Sequence, residues 1–210
     1  MMRKIISTIT LLSLLVLTCG MQASAQESAA EKLLAQAASL FQQKGAEVRF
    51  LIEEEGININ GKLLMEGDKF HFDTDEMQVW FDGKTQWTAQ HSSDITEVYI
   101  SEPTPAEQQS VNPYLLLSHY KEAFSTHLGL KKGGVQEVLL RALNEKQELK
   151  LVNLNIKDNG ELKQLTLTFP DERVYHVHIL SFRNGLTFQK STFSIPDAEL
   201  KKANEIIDMR

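Results

Sequence analysis

The residues of this chain that could do chemistry are few, and the most suggestive are His176 and His178. In a strand, this spacing places both imidazoles on one face, where they could serve as two ligands of a metal ion. A zinc site needs a third or fourth ligand, and no cysteine, HExxH pattern or acidic cluster nearby supplies one. We therefore interpret the pair as partly solvated strand residues and expect no metal and no cofactor.

The other catalytic patterns lead to the same conclusion. The G-x-S-x-G signature of a nucleophilic serine does not occur in the sequence. Gly133-Gly134 is typical of a turn rather than of a phosphate-binding loop. The run Glu53-Glu54-Glu55 stands at the end of a predicted strand, where a solvated edge is favoured over a pair of catalytic carboxylates. The sequence therefore predicts a binding protein rather than an enzyme.

The first residues of the chain are typical of a secretory signal peptide. Basic residues near the N-terminus precede an apolar run, Ile5–Leu17, and Ala23-Ser24-Ala25 fits the small-x-small cleavage rule. The run is too short to cross a bilayer as a stable helix. We predict that residues 1–25 are removed by cleavage after Ala25, and that residues 26–210 form a single domain in the periplasm.

Cysteine and charge usage narrow the class of protein further. Cys19 is the only cysteine; lipid attachment there is an alternative to cleavage after Ala25, but Thr18 is a poor residue to precede a lipidated cysteine. The mature chain then has no disulfide and depends on a buried core, which about 185 residues can form as one domain. Removing Arg3 and Lys4 leaves 20 of the 22 basic residues against 28 acidic ones, a net charge of −8. This charge argues against nucleic-acid binding.

Two segments are predicted to be helical. Apolar residues recur at helical spacing in residues 29–41, and Gly45 is a suitable C-terminal stop. The apolar face of this helix is narrow and rich in alanine. In a second segment, Thr104 can cap a short turn that opens at Pro105, and another short helix follows Pro113. The apolar residues expected to turn from these helices toward the rest of the protein are Leu33, Leu34, Ala37, Phe41, Leu115 and Leu117.

From Ala46 the apolar period changes to two, which is typical of strands with one buried face. Turn residues separate the strand runs, and Asn-Gly and Asp-Gly are strong hairpin signals. The turns are Glu66-Gly67-Asp68, Asp82-Gly83, Asn159-Gly160 and Asn184-Gly185. After the helical insert, the predicted strands are Gln136–Ala142, Leu149–Ile156, Leu162–Phe169, Tyr175–Phe182 and Leu186–Ile195. The tail is ambiguous: residues 198–204 have a helical pattern, and residues 205–207 could form a last edge strand.

The predicted fold class is mainly β with α: one long, curved antiparallel sheet with two helical insertions. A sheet of this length must curl or close, and its concave face needs the helices as a cover. The apolar strand residues considered for that face include Val98, Ile100 and Phe188, and those assigned to ligand binding are Phe50, Ile52, Leu64, Phe70, Phe72, Val79, Phe81, Trp87, Leu165, Leu167, Phe169, Val177 and Ile179. They could fill an ordinary core, or they could line an apolar cavity left by small alanine side chains. The sequence leaves both alternatives open.

The only two tryptophans, Trp80 and Trp87, flank the Asp82-Gly83 turn in the stretch VWFDGKTQW. Around a hairpin, they can lie on neighbouring strands. In one interpretation, one indole forms a wall of the pocket and the other lies at its rim, where its N–H finds a partner. In the other, both brace the sheet. Our assignment places Trp87 in the pocket.

The order of the segments resembles that of a known family. An alanine-rich helix is followed by ININGKLLMEGDKFHFDT, VWFDGKTQW, TEVYISEPTPAE, a helical insert, and a meander of strands that ends in EIIDMR. This order is similar to that of the outer-membrane lipoprotein carriers, the LolA-like chaperones, in the divergent form of Bacteroidota-type bacteria. Proteobacterial carriers have an Arg-Pro and an aromatic-Arg-Trp pattern where this chain has Lys69, Phe70 and Phe72. Roles ascribed to those arginines therefore do not carry over.

The resemblance implies a half-open antiparallel barrel closed on one side by helices. Its cavity would hold the acyl chains of a lipoprotein on the way from the inner to the outer membrane. The apolar strand residues assigned to the concave face would bind these chains, and the apolar helix residues would form a lid. The implied partners are lipoproteins and an inner-membrane ABC-type release complex, and an outer-membrane acceptor is possible. The resemblance implies no cofactor and no nucleic acid, and we expect a monomer. The alternatives are a lipocalin-like carrier of lipids or small hydrophobic ligands without protein cargo, and a solid-cored envelope protein.

Overall fold

The computed structural model describes residues 29–41, 44–92, 94–108 and 112–210. The predicted signal peptide and its cleavage site lie outside these residues. The first described segment, residues 29–41, is helical and is labelled α1. Among the described residues, no helix has both the length and the apolar character that crossing a bilayer requires.

Strands and short helices alternate in a simple order along the chain. Six strands follow α1: β1 (Gly45–Glu54), β2 (Ile57–Glu66), β3 (Lys69–Thr74), β4 (Met77–Phe81), β5 (Gln86–Ser92) and β6 (Ile95–Ser101). The helical insert comprises α2 (Pro105–Gln108), α3 (Pro113–His119) and a 3-10 turn (Tyr120–Glu122). Then come β7 (Phe124–Lys132), β8 (Val135–Ala142), β9 (Leu151–Lys157), β10 (Leu162–Thr168) and β11 (Val174–Leu186). The chain ends with a second 3-10 turn (Lys190–Phe193), α4 (Asp197–Lys202) and β12 (Glu205–Asp208).

The described strands form one twelve-stranded sheet in the order β12-β6-β5-β4-β3-β2-β1-β11-β10-β9-β8-β7. Two antiparallel meanders, β1 to β6 and β7 to β11, are joined where β1 pairs with β11. The last strand, β12, pairs with β6 in parallel. Because the edge strands β7 and β12 do not pair with each other, the sheet is an open half-barrel. The predicted fold class, mainly β with α, is confirmed.

Glycines form the predicted hairpin turns because they tolerate a left-handed backbone. Gly67, Gly83 and Gly160 have φ values of 66°, 100° and 87° in the β2–β3, β4–β5 and β9–β10 connections. Asp82 closes its turn through Oδ1, which accepts hydrogen bonds from the backbone N–H groups two and three residues later, both at 2.9 Å. These turns fix the register of the strands that they join.

The helical insert is held by side-chain caps. At the start of α2, the Glu107 carboxylate accepts hydrogen bonds from the Thr104 backbone N–H at 2.6 Å and from its hydroxyl at 2.8 Å, as in a capping box. Asn112, which is fully buried, caps α3: its Oδ1 accepts a hydrogen bond from the Leu115 N–H at 3.2 Å. The Asn112 amide also donates to the Asp68 carbonyl at 3.2 Å. This second bond ties α3 to the β2–β3 turn.

Two sequence predictions about the strands were wrong. Asn184-Gly185 is not a hairpin turn, because β11 continues through it to Leu186, which pairs with Gly45. The chain then leaves the sheet, so residues 187–195 contain a 3-10 turn rather than a strand. The strand β7 was not predicted. Phe124 continues the apolar pattern of the preceding helix, and the pairing of β7 with β8 is itself irregular after Leu128.

Apolar clusters cover both faces of the sheet. On the inner face, which carries Phe50, a large cluster packs α1 and α3 against the strands. On the outer face, a smaller cluster packs residues 187–204 against β4, β5 and β6; we call residues 187–204 the strap. The smaller cluster contains Trp80, Ala89, Val98 and Ile195, with Trp87, Ile100, Leu200 and Ala203 packed against it. Asn204 fixes the end of the strap, since its N–H donates to the Thr96 carbonyl and its Oδ1 accepts from the Thr96 N–H, both at 2.8 Å.

Candidate functional site

A cavity of about 200 Å³ lies between the inner face of the sheet and the helices α1 and α3. Among the described residues, every side chain that lines it is aliphatic or aromatic. An apolar space of this kind stays dry and accepts apolar ligands; one of about 150 Å³ holds a benzene molecule. The lining residues are Leu40, Phe41, Val48, Phe50, Ile52, Leu63, Phe72, Leu116, Leu162, Leu165, Leu167, Val177, Ile179 and Phe182.

The register of the sheet brings the strand residues of this lining side by side. Phe50 of β1 pairs with Ile179 of β11, and Ile52 pairs with Val177. Val177 in turn pairs with Leu165 of β10. Because the side chains of paired residues project from the same face of a sheet, the three strands present one continuous apolar wall.

The Phe50 ring lies over β2 because its partner on that strand is Gly61. A Cβ atom at Gly61 would stand well under 3.0 Å from two ring atoms of Phe50, closer than real Cβ contacts. The Phe50 ring also stacks on Phe72, with 5.3 Å between the centroids and an angle of 21° between the planes. The absence of a side chain at residue 61 therefore lets Phe50 lie flat along the wall instead of filling the cavity.

Helices α1 and α3 form the side of the cavity that faces the sheet. Phe41 of α1 lines the cavity and packs edge-on against Phe182 of β11, with 5.4 Å between the ring centroids. Much of the buried face of α1 consists of Ala30, Ala37 and Ala38. Alanine side chains fill little volume, so the helix covers the sheet without filling the space beneath it.

Few polar contacts hold α1 in place. Its Gln36 amide donates a long, 3.4 Å hydrogen bond to the Asp158 carbonyl in the β9–β10 turn. Glu31 forms an ion pair with Lys121 at 2.7 Å, but their side chains are 37% and 63% exposed. An ion pair this accessible to water contributes at most about 1 kcal/mol. The helix therefore depends mainly on its apolar contacts.

An open groove of about 750 Å³ adjoins the cavity and shares Ile52 and Phe72 with it; we call it the vestibule. The β3–β4 turn shapes one side, where the Thr74 hydroxyl donates to the Met77 carbonyl at 2.9 Å and accepts from its N–H at 3.1 Å. The apolar cavity and this groove of mixed lining thus share part of one wall. The vestibule is lined by Ile52, Glu54, Ile59, Phe72, Thr74, Glu76, Met77, Gln90, His91, Ser92 and Tyr175.

Tyr175 connects the vestibule to a small polar network. A hydrogen bond to the Glu54 carboxylate raises the pKa of the Tyr175 hydroxyl above its ordinary value. Arg173 donates to the same hydroxyl at 3.2 Å and to the Asp171 carboxylate at 2.7 Å. Because Asp171 accompanies Arg173, this arginine brings little net positive charge to the vestibule.

Residues 21–171 match the family described as "Outer membrane lipoprotein carrier protein LolA". The chain belongs to this family. The resemblance predicted from the order of the segments is therefore confirmed. No curated protein matches this LolA-family chain.

Several solved structures are similar to the LolA-family chain at low identity. MucB of Pseudomonas aeruginosa, solved in complex with MucA, is 13% identical with a TM-score of 0.43, and the match covers 81% of this chain and 62% of MucB. A LolA superfamily protein from Nitrosomonas europaea is 8% identical with a TM-score of 0.43, over 80% and 98% of the two chains. A putative outer membrane lipoprotein-sorting protein domain from Vibrio parahaemolyticus is 11% identical with a TM-score of 0.36, over 82% and 99%. This chain therefore spans about six tenths of MucB.

The strand residues predicted to bind acyl chains fall into three groups in this LolA-family chain. Those that line the cavity are Phe50, Ile52, Phe72, Leu165, Leu167, Val177 and Ile179. Phe70, Val79 and Phe81 lie in the solid part of the inner cluster, and Phe169 packs against that cluster beside Tyr175. Leu64 and Trp87 project from the outer face, because they pair with Glu47 and Trp80 respectively.

The predicted lid residues lie on the helices that cover the cavity. Phe41 is part of the lining itself. Leu34, Ala37 and Leu117 are buried in the inner cluster, Leu33 packs against it, and Leu115 is half-buried. The lid residues that reach the cavity are thus at the C-terminal end of α1 and in the middle of α3, where Leu40 and Leu116 were not predicted.

The two tryptophans form a cross-strand pair on the outer face, beneath the strap. His71 stacks on Trp80 with 5.0 Å between the ring centroids and an angle of 17°. Burial lowers the pKa of His71, and its buried Nε2 has no hydrogen-bond partner. The expectation that Trp87 forms a wall of the pocket is not met by this geometry, which corresponds to the alternative in which both indoles brace the sheet.

The histidine pair considered for metal binding has ordinary strand surroundings. His176 shares a hydrogen bond of 3.1 Å with the Thr166 hydroxyl, and His178 lies 3.6 Å from the Glu53 carboxylate. Within the part of the chain that the structure describes, no group of three or more His, Cys, Asp or Glu side chains is placed to hold a metal ion.

Six lining residues were missed by the sequence analysis: Leu40, Val48, Leu63, Leu116, Leu162 and Phe182. Val48 could have been found, because it alternates with Phe50 and Ile52 on one strand. Phe182 could not, since a register shift in the β1–β11 pairing interrupts its alternation with Ile179. A similar irregularity separates Leu162 from Leu165 in the pairing with β9.

Proposed function

We propose that this protein carries the acyl chains of lipoproteins through the periplasm, from the inner to the outer membrane. The supporting observation is the cavity of about 200 Å³, whose described lining residues are all apolar, in a chain that belongs to the outer-membrane lipoprotein carrier family. Its partners would be acylated proteins and an ABC-type release complex in the inner membrane, with the carrier acting as a monomer. An outer-membrane acceptor would complete the transfer.

The need for such a carrier follows from hydration. Leaving one buried methylene in water costs about 0.8 kcal/mol, so a sixteen-carbon chain costs about 12 kcal/mol. An apolar cavity offsets this cost by contact area, without the directional hydrogen bonds that would make release slow. The lining described above provides contacts of this kind, with no hydrogen-bonding side chain among its members.

The cavity is too small for a whole acyl chain, so binding one requires movement of the lid. A space of about 150 Å³ holds six carbon atoms as benzene, so 200 Å³ holds only part of a long acyl chain. Additional room arises if α1 moves outward, because its alanine face has shallow contacts and its polar ties to Asp158 and Lys121 are weak. The proposed cycle therefore alternates between this state, with its small cavity, and a state with a larger cavity that holds acyl chains.

A pair of neighbouring substitutions on β11 tests the proposal. Ile179→Glu introduces a charge into the cavity wall, whereas Leu180→Glu introduces the same charge at a residue that is 60% exposed. Each variant is incubated with inner-membrane vesicles that contain radiolabelled lipoproteins, and the released complex is collected. We expect Leu180→Glu to release cargo normally and Ile179→Glu to release little. Normal release by a folded Ile179→Glu variant would refute the proposed binding site.

A second candidate is a carrier of free lipids or small hydrophobic ligands, and the small volume of the closed cavity favours it. Native mass spectrometry of protein purified from the periplasm separates the two functions. Bound acylated protein supports lipoprotein transport, whereas free lipid alone supports the second candidate.

A further inference from the structure

The vestibule adjoins the cavity on the inner face of the sheet. The two share Ile52 and Phe72, so the group attached to an acyl chain that leaves the cavity along this common wall would lie beside the vestibule. We propose that the vestibule binds the peptide next to the acyl group of the cargo and selects a peptide with basic residues. This inference rests on the proposed function, because it requires an acyl chain in the cavity.

The lining of the vestibule suits a short amphiphilic segment. Ile59 and Met77 extend the apolar wall outward, while Gln90, the cross-strand partner of Met77, and Ser92 add hydrogen-bonding groups. Its volume of about 750 Å³ is several times that of the cavity, which is about 200 Å³, so the vestibule has room for more than an acyl chain. A compact lipid headgroup would fill only part of this space, so the volume favours a peptide.

The charge of the vestibule favours a basic peptide. Glu54 and Glu76 line it, and none of the described residues that line it is lysine or arginine. Arg173 contacts the vestibule residue Tyr175, but its charge is paired with that of the Asp171 carboxylate. Glu76 lies beside His91, whose N–H donates to the Glu76 carbonyl at 2.9 Å, and the His91 ring interacts with the Thr96 hydroxyl at 3.2 Å. The vestibule therefore includes two acidic residues, Glu54, whose carboxylate is hydrogen-bonded to Tyr175, and Glu76, and no lysine or arginine among its described lining.

The expected selectivity is moderate because the vestibule is open to water. Each accessible ion pair increases affinity by a factor of roughly 2 to 5 relative to a neutral pair, and salt weakens this effect. Attraction of a basic peptide by two carboxylates and repulsion of an acidic one should together give at least about a tenfold difference in affinity. The apolar cavity supplies most of the affinity, and the vestibule determines which acylated peptides are preferred.

The experiment compares three dodecanoyl peptides with the same acyl chain, whose residues next to the acyl group are Lys-Lys, Ser-Ser or Glu-Glu. Each displaces the neutral apolar fluorophore N-phenyl-1-naphthylamine from the full mature protein at low salt. The variants are Glu54→Gln, Glu76→Gln and the double variant. Glu66→Gln is the matched control, since Glu66 lies at the end of β2 remote from Ile59 and the vestibule.

We expect wild-type affinity in the order Lys-Lys, Ser-Ser, Glu-Glu, with about a tenfold difference between the first and the last. Each single variant should reduce this preference by about threefold, the double variant should abolish it, and Glu66→Gln should preserve it. Equal affinities for all three peptides, together with normal fluorophore binding, would overturn the inference and leave the proposed function intact. Failure of the fluorophore to bind the wild-type protein would overturn both. A preference that is insensitive to the double variant would also overturn the assignment to Glu54 and Glu76.

Discussion

Substituting Gly61 by alanine tests whether the flat Phe50 ring keeps the cavity open. Strand propensity alone makes a glycine-to-alanine change stabilising by about 0.5–1 kcal/mol. The structure predicts the opposite sign, because the new Cβ would overlap the Phe50 ring and overpacking of this kind costs about 1–3 kcal/mol. We expect a net loss of about 1–2 kcal/mol in the free energy of unfolding, with the Phe50 ring turned into the cavity.

Two assays follow this variant. Urea unfolding gives the change in stability, and titration with N-phenyl-1-naphthylamine gives the change in binding. Because the displaced ring occupies space in a cavity of only about 200 Å³, we expect the affinity to fall by about tenfold, or about 1.4 kcal/mol. Gly129→Ala is the control. It is also a strand glycine whose new Cβ would meet a side chain, that of Glu137, but Glu137 does not line the cavity, so this variant should leave the affinity for the fluorophore unchanged.

A double variant decides whether Phe50 is the cause. Phe50→Leu removes the ring that the new methyl group would meet, so Gly61→Ala should cost less than about 0.5 kcal/mol in that background, within the range of additive changes. The interaction energy between the two substitutions should then be about 1–2 kcal/mol. An equal cost of Gly61→Ala in both backgrounds would refute the reasoning, because the destabilisation would then arise elsewhere.

Three further changes test other parts of the structure. Burial alone would raise the pKa of Glu47, but hydrogen bonds from Arg183 and Arg49 outweigh it and lower that pKa, so the ionised form stabilises the fold at neutral pH. Glu47→Gln should therefore lower the free energy of unfolding by about 1 kcal/mol at pH 7. Urea unfolding should show this difference disappear as acid protonates the carboxyl group. Burial lowers the pKa of His71 below 6.5, so its contribution to stability is present above that pH and is lost as the pH falls. His71→Phe should therefore reduce the loss of stability between pH 7 and pH 5. An unchanged dependence of the unfolding free energy on pH would contradict this account. Trp87→Leu should lower stability by about 1–3 kcal/mol but change the affinity for the apolar fluorophore less than twofold. A large loss of binding would mean that this indole reaches the cavity.

The sequence predicted much of the architecture because local signals agreed with the fold. The alternation from Ala46 onward, the glycine turns and the cap at Thr104 all have counterparts in the structure. Asn184-Gly185 is an exception, because its preference for a turn is overridden by the long pairing of β11 with β1. Such pairing depends on residues far apart in the chain, which local patterns do not report.

The face on which each strand residue lies was harder to predict. Leu63, Leu64 and Met65 are consecutive apolar residues, so alternation does not indicate which face is inward; pairing with β1 and β3 turns Leu63 and Met65 inward. The same ambiguity affects Val79-Trp80-Phe81. There, both faces are buried, because the strap covers the outer one. A strand buried on both faces loses the alternation on which face assignment depends.

The two apolar clusters divide the work of stability and binding between different strands. On β4, β5 and β6, the tryptophan pair and the strap make the outer face a packed layer. The cavity lies instead over β1, β10 and β11, where the outer face of β1 carries charged residues such as Glu47 and Arg49. Movement of α1 and α3 would therefore expose the cavity wall without opening the cluster beneath the strap. In the proposed cycle, this separation would let a chain without disulfides keep its sheet intact while the helices move to admit an acyl chain.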